Sequence, residues 1–314
     1  MADTILQSDQ DSADPKDRTD KTAQPAAGRI WAVPSQMLML TPPPVLVLLA
    51  VLSLQLGAAI AVNLFPVLGP NGTVFWRVAL SAMLLMAIAR PTLHGLNRRG
   101  LWLLLMYGTS IAVMNLCFYQ AIARIPLGIA VAIEFLGPLG VAAATSRKLS
   151  HFLWVLLAGG GIALLSPEIG VNLDPWGVAF AGIAAVAWGG FVLLSVRVGK
   201  TFPGTQGLAW GMLIAALLIA PFGIETITAF TIDPLLIFAV IGVALLSTTI
   251  PFRLEFEALK RMPPRIYGIL ITTEPAVAAV IGALLLGQSL GTTGMIAIAC
   301  VMAAALGASV TKDK

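Results

Sequence analysis

Some charged residues lie inside long apolar runs of the sequence, where their side chains could bind an ion or a charged solute. Glu134 lies in IAVAIEFLGPL, Glu274 precedes Pro275 in TTEPAVAAVIGALLLG, and Arg77 lies in VFWRVALSAMLL. A charged side chain at the centre of a membrane helix costs about 2.5–3.5 kcal/mol on insertion scales. We therefore expect each of them to face a cavity or a partner, or to be neutralised.

Pro138 makes the surroundings of Glu134 more polar. Proline lacks an N–H and frees the carbonyl four residues earlier, which here is the carbonyl of Glu134 itself. A carboxyl group and an unpaired backbone oxygen are thus expected at the same depth. We interpret Glu134 as a titratable group that lines a substrate path. The alternative is a carboxyl group that only hydrogen-bonds the freed backbone or a neighbouring helix.

Glu274 and Arg77 each have more than one interpretation. Glu274 either lines the same path as Glu134 or bonds locally to Thr272 and Thr273. Arg77 either neutralises Glu134 or binds a substrate carboxylate; alternatively, its long side chain extends outward to the membrane interface.

Polar and aromatic side chains elsewhere in the apolar runs complete the candidate site. Asn115 and Tyr119 are four residues apart and share a helix face, and Trp188 lies deep in another apolar run. Such residues can hydrogen-bond a small solute, although contacts between helices are their commoner use. The predicted substrate or ion site consists of Glu134, Glu274, Arg77, Asn115, Tyr119 and Trp188.

The sequence predicts no catalytic residue, no metal site and no cofactor. It contains no nucleotide-binding, zinc-protease or serine-nucleophile motif and only two histidines. Its basic residues are scattered over short breaks rather than gathered on one surface, which argues against nucleic acid as a partner.

The elements that must position the candidate site are membrane-spanning helices. Of the 314 residues, 58% are hydrophobic and 11% are charged, whereas soluble proteins have about 25% charged residues. A helical crossing needs roughly 20 apolar residues. The composition predicts an all-α polytopic membrane protein. Its apolar runs predict ten transmembrane helices, near residues 43–62, 73–90, 100–121, 126–145, 150–166, 175–196, 204–222, 234–256, 265–287 and 291–310.

A repeat relates the two halves of the chain. An offset of 137 residues aligns Pro126 and Pro138 with Pro263 and Pro275, together with several of their neighbours. Each repeat then holds five helices, and an odd number inverts the second copy, which is typical of transporters. The predicted divisions are a disordered cytoplasmic tail at 1–40, repeats at 41–167 and 168–311, and a cytoplasmic end at 312–314.

The distribution of basic residues predicts the orientation. With both termini in the cytoplasm, most basic residues lie on the cytoplasmic side and Arg124 lies outside, as the positive-inside rule requires.

The strings IPLGIAVAIEFLGPLGVA and TTEPAVAAVIGALLLGQ, with the predicted five-plus-five helices, resemble the drug/metabolite transporter superfamily in its EamA-type ten-helix form. The strings AVNLFPVLGPNGTVFWRVALSAMLL and LLSTTIPFRLEFEALKRMPPRIYGIL resemble its threonine/homoserine exporter branch most closely. The resemblance implies efflux of small amino acids across the bacterial inner membrane by alternating access, driven by an ion gradient in which we expect protons.

Several points stay open at this level. The substrate is a small amino acid or, alternatively, a drug or another metabolite. An integral membrane enzyme and a non-transporting membrane subunit are alternatives of another class. We expect a central cavity lined by the first, third, fourth, sixth, eighth and ninth helices, in a single chain or a homodimer.

Overall fold

The computed structural model describes residues 40–92, 97–145, 149–163, 173–202, 206–232, 235–259, 261–262, 267 and 270–310. Within these residues every regular element is helical. The α-helices are α1 (Pro43–Asn63), α2 (Phe65–Ala89), α3 (Arg98–Ile122), α4 (Leu127–Glu134), α5 (Leu136–Thr145), α6 (Leu149–Ala163), α7 (Pro175–Thr201), α8 (Gln206–Gly223), α9 (Ile227–Ile232), α10 (Leu236–Ala244), α11 (Ile250–Leu259), α12 (Glu274–Leu286) and α13 (Gly291–Val310).

Apolar side chains cover the outside of the helix bundle as well as its inside. Val78 and Ile129 are buried in the core, while Val186 and Leu284 point outward with 78% and 75% of their surface exposed. Large apolar side chains on the outer surface are favourable in lipid. Among the described residues, four helices are long and apolar enough to cross a membrane, namely Pro43–Asn63, Arg98–Ile122, Pro175–Thr201 and Gln206–Ala229. The chain is thus an all-α polytopic membrane protein. Other predicted crossings are divided or only partly described, so the count of ten stays a prediction.

Helices from the two halves of the chain pack in matched pairs. The contact of α3 with α7 has its counterpart in the contact of α1 with α11, and α2, α4 and α6 pack on α8, α12 and α13. If the helices are numbered as the ten predicted crossings, replacing each crossing by the one five places along the chain turns each of these pairs into another of them or into itself. The repeat boundaries remain predictions. Nearly all of the predicted tail at 1–40, and residues 312–314, lie outside the described residues.

Two of the predicted crossings are broken next to a proline, and the candidate acids lie at the breaks. The fourth crossing is divided after Glu134, where Phe135 separates α4 from α5. Pro138 offers no N–H to the Glu134 carbonyl, which accounts for the missing hydrogen bond. The ninth crossing turns at Thr272 and Thr273 before α12 begins with Glu274. Pro275 is favourable there because the first turn of a helix needs no N–H from it.

A bend in α2 determines the position of Arg77. Helix α2 begins at Phe65, earlier than the predicted residue 73, and bends at Gly69, whose φ of 64° is a positive value that glycine adopts without strain. The hydroxyl of Thr73 donates to the Gly69 carbonyl over 2.8 Å and stabilises the first turn after the bend. Arg77 lies on the straight segment that follows.

Candidate substrate site

The packing of α4 against α12 brings Glu134 and Glu274 together. Gly128 of α4 lies against Ala279 of α12, so close that a Cβ added at Gly128 would be 2.8 Å from the Ala279 Cα. Gly128 is six residues before Glu134, and Ala279 is five residues after Glu274. Leu127, one residue earlier, contacts Gly282, further along α12. The two helices are therefore antiparallel, and their near-equal offsets, roughly 9 and 7.5 Å along the axes, place both acids at the same level.

The two carboxyl groups lie at helix ends of opposite polarity. Glu134 is the last residue of α4, where the helix dipole is negative and attracts cations; Glu274 is the first residue of α12, where the dipole is positive and favours a carboxylate. The two acids thus lie at the same level of the bundle but in different electrostatic surroundings.

Glu274 is hydrogen-bonded across the bundle. The Gln55 Nε2 on α1 donates to the Glu274 Oε1 over 3.0 Å. Both side chains are buried, Gln55 with 2% and Glu274 with 6% of its surface exposed. This bond joins a helix of the first half to a helix of the second.

Arg77 is held on α3. Its Nη2 donates to the Oδ1 of Asn115, whose Nδ2 donates to the Ile111 carbonyl over 2.8 Å. The Arg77 Cζ lies 5.2 Å from the centre of the Tyr119 ring, a cation–π contact. The guanidinium is thus directed to α3 inside the bundle rather than outward to the interface.

Electrostatic interactions connect the pair of acids with Arg77. The Glu134 carboxyl group is within electrostatic range of both Arg77 and Glu274. Its neighbour Phe135 meets the Trp188 ring edge to face, with ring centres 5.2 Å apart. Trp188 therefore borders the site, because it packs against Phe135, the neighbour of Glu134.

Five of the six predicted residues belong to one connected group, and Trp188 borders it. Their role in binding remains a prediction. Gln55 was not among the predicted site residues, although a polar amide inside an apolar helix is a usable signal. Its partner on α12 is more than 200 positions away in the chain, so only the fold reveals the pair. The site also includes α2, which was not among the helices expected to line the cavity.

Another acid lies near the group. Tyr267 hydrogen-bonds the Glu255 carboxyl group, and both residues interact electrostatically with Glu274. Glu255 lies midway along α11, whose last residues are at the cytoplasmic end in the predicted orientation.

A second polar group, which we call the end network, consists of Asn71, Gln120, Arg124 and Asp174. The Gln120 Nε2 donates to the Asn71 Oδ1 over 2.5 Å, and the Arg124 Nη1 donates to the Gln120 carbonyl over 2.7 Å. The Arg124 Nε lies 3.7 Å from the Asp174 Oδ2. This network ties α2 and α3 to the start of α7 at the end of the bundle predicted to be extracellular.

A groove of about 730 Å³ lies between α3 and α7, away from the acids. Its lining is mostly apolar and includes Trp102, Met106, Ile183 and Val186, whose side chains are exposed on the outer surface. Such a surface suits lipid acyl chains rather than a charged solute.

Comparison with known proteins places the chain in a family. Residues 175–310 match the EamA-like transporter family. The chain is 38% identical over 278 residues to the threonine/homoserine exporter RhtA of Escherichia coli strain K12, a match that covers 87% of this chain and 92% of that protein. It is 39% identical over 275 residues to RhtA of Salmonella typhimurium strain LT2, covering 85% of this chain and 92% of that one.

A solved crystal structure shares the fold, with a TM-score of 0.53 and 17% identity over 85% of this chain and 96% of that chain. Taken with the buried polar group inside an apolar helix bundle, the similarity to RhtA over most of the chain shows that this protein belongs to the EamA-like transporter family, in the RhtA-like branch, and is a membrane transporter and not an enzyme.

Proposed function

We propose that the protein exports small amino acids of the threonine and homoserine type across the bacterial inner membrane by proton-coupled alternating access. The observation that carries the proposal is one polar group inside the helix bundle that combines the Arg77 guanidinium with the Glu134 and Glu274 carboxyl groups. The names of the relatives, threonine/homoserine exporters, support this choice of substrate.

The charges of the group complement those of an amino acid. The guanidinium of Arg77 binds the α-carboxylate, for which its planar donors are suited. Asn115 and the Tyr119 ring hold the guanidinium in place. The α-ammonium group binds at Glu134, where the negative end of α4 adds to the attraction of the carboxylate.

The two carboxyl groups provide a means of coupling to protons. While the ammonium group occupies the site, its charge offsets the repulsion between the acids. When the amino acid leaves, a proton replaces that positive charge, because two close carboxylates disfavour each other's ionised form. Export of one amino acid is thereby exchanged for entry of one proton.

Alternating access requires two halves that move against each other around the site. The matched helix pairs and the Gln55–Glu274 bond between the halves support such an arrangement. In the membrane, both termini lie in the cytoplasm, and the end network lies at the extracellular side. One chain supplies all the named groups, and a homodimer remains a separate prediction.

Counterflow in proteoliposomes tests the function. Vesicles containing the purified protein and loaded with unlabelled threonine should accumulate labelled threonine from outside. An imposed pH gradient, acidic on the side that the proton enters from, should drive net movement of the amino acid to that side. Empty vesicles are the control. Absence of counterflow for threonine and homoserine contradicts amino-acid export, and a rate independent of the pH gradient contradicts proton coupling.

The same vesicles test whether the substrate is a drug rather than an amino acid. A lipophilic cationic dye should neither be transported nor compete with threonine, because the site as proposed needs a carboxylate for Arg77. Transport of the dye without transport of amino acids would favour a drug exporter.

A further inference from the structure

Gln55 has hydrogen-bonding capacity that the structure leaves unused. Its Nε2 donates to Glu274, while its Oε1 has no hydrogen-bond partner among the described residues. The side chain is 2% exposed. An unpartnered buried acceptor is unfavourable, because it has lost its water without gaining another donor. A ligand that donates a hydrogen bond would remove this cost.

Other unpartnered polar atoms in the described part of the chain are less suited to meet a ligand there. The Ser247 Oγ is packed against α1, so close to Gly57 that an added Cβ would overlap it. The Tyr119 Oη belongs to the ring that holds Arg77. Gln55 is the one that is bonded directly to an acid of the site.

The polar side chains of the site follow one another in the same order as the functional groups of an amino acid that could bind them. Arg77 interacts with Glu134, Glu134 with Glu274, and Glu274 with Gln55. With the carboxylate at Arg77 and the ammonium group at Glu134, the side chain of the substrate extends toward Glu274 and Gln55.

We propose that Gln55 is a specificity-determining residue whose Oε1 accepts a hydrogen bond from a hydroxyl group on the substrate side chain. The proposal rests on the function proposed above and adds the group that distinguishes hydroxylated from purely aliphatic amino acids. The Oε1 is closed to solvent in this structure, so the hydroxyl group reaches it when the two halves rearrange.

The expected discrimination between substrates follows from replacing the substrate hydroxyl group at Gln55 with a methyl group. Norvaline has the shape of homoserine with a methyl group in place of the hydroxyl. It leaves the Gln55 acceptor unpaired, and sites built to bind a hydroxyl group reject such analogues. We expect homoserine to be preferred over norvaline by roughly 10- to 100-fold, the equivalent of one buried hydrogen bond.

The test compares counterflow of labelled homoserine and labelled norvaline in the same proteoliposomes. Their ratio does not depend on how much protein is active. In Gln55→Leu the ratio should fall at least about tenfold, to near one, whatever the change in the absolute rate of norvaline counterflow. Gln55→Met, which keeps the length of the side chain, should behave in the same way.

Ser53→Ala is the matched control. The Ser53 hydroxyl also joins α1 to the second half of the chain, but it donates to the Leu246 carbonyl, at 2.8 Å, rather than to Glu274. Its ratio should equal that of the wild type.

The outcomes separate the two proposals. If the wild type transports neither amino acid, the proposed function fails. If it transports both equally, only the assignment of the hydroxyl group fails. Equal losses of both amino acids in the two Gln55 variants, with Ser53→Ala unaffected, would also overturn the assignment, because Gln55 would then support Glu274 or the amino group.

Discussion

The candidate site and the end network are both polar groups in an apolar molecule, yet they satisfy their hydrogen bonds differently. At the site, the Gln55 Oε1, the Arg77 Nε and the Tyr119 Oη are buried without a partner. In the end network, Gln120 and Arg124 bond their neighbours, and no atom of that network is among the unpartnered buried atoms of the described residues.

The difference separates a part of the molecule that binds from a part that holds it together. Buried polar groups without partners are costly, so their concentration around Glu134 and Glu274 is understandable if a ligand satisfies them for part of the transport cycle. The end network pairs its groups within the protein and is partly exposed, which suits a structural contact. Variants should therefore affect substrate handling at the site and mainly stability at the network.

Glu134→Gln should have the largest effect. Removing the carboxylate takes away both the partner of the ammonium group and the acceptor of the proton, so proton-driven transport should fall by at least about 100-fold, in line with the loss of a buried charged partner. Thermal stability in detergent should stay close to that of the wild type. Glu225→Gln, an exposed acid outside the site, is the control, and wild-type transport by Glu134→Gln would refute the role.

Arg77→Gln should come next. The guanidinium is proposed to bind the carboxylate, so its loss should raise the half-saturating threonine concentration roughly 10- to 100-fold, the worth of a hydrogen bond to a charged group. Arg77→Lys should recover only part of the affinity, because an ammonium group lacks the planar pair of donors. Initial counterflow rates over a range of threonine concentrations measure this, and an unchanged half-saturation would contradict the assignment.

Pro138→Ala should have a smaller effect. An alanine N–H can bond the carbonyl of Glu134, which joins α4 to α5 and removes a polar atom from the site. We expect transport to fall by roughly two- to tenfold, as for one hydrogen bond, while the melting temperature is unchanged or higher. Full activity in this variant would mean that the helix break is not needed.

Arg124→Gln should have the smallest effect on transport. The Arg124 and Asp174 side chains are 34% and 37% exposed, and exposed ion pairs contribute about 0–1 kcal/mol to stability. The melting temperature should fall slightly, and the half-saturating threonine concentration should not change. If Arg124→Gln raised the half-saturating threonine concentration as much as Arg77→Gln does, the end network could not be distinguished from the candidate site as a purely structural contact.

The sequence allowed the class of fold and the main acids to be predicted, because charge within an apolar run has few explanations. It also predicted that Pro138 disturbs the helix at Glu134, which agrees with the end of α4 there. The turn before Glu274 was not predicted, since Thr272 and Thr273 are compatible with a continuous helix.

Partners between distant helices could not be obtained from the sequence. The bond between Gln55 and Glu274 and the contact of Arg77 with Asn115 depend on how α1, α2, α3 and α12 pack. Helical periodicity gives the face on which a side chain lies but not the helix that covers it. The end network was missed for the same reason, because Gln120 and Asp174 resemble ordinary residues at helix ends.

A structure of the protein determined with bound homoserine would show whether the amino acid binds between the two acids. We expect homoserine at the level where α4 ends and α12 begins, with its carboxylate at Arg77, its ammonium group at Glu134 and its hydroxyl group near Gln55. Homoserine bound instead in the groove between α3 and α7, or away from both acids, would contradict this expectation.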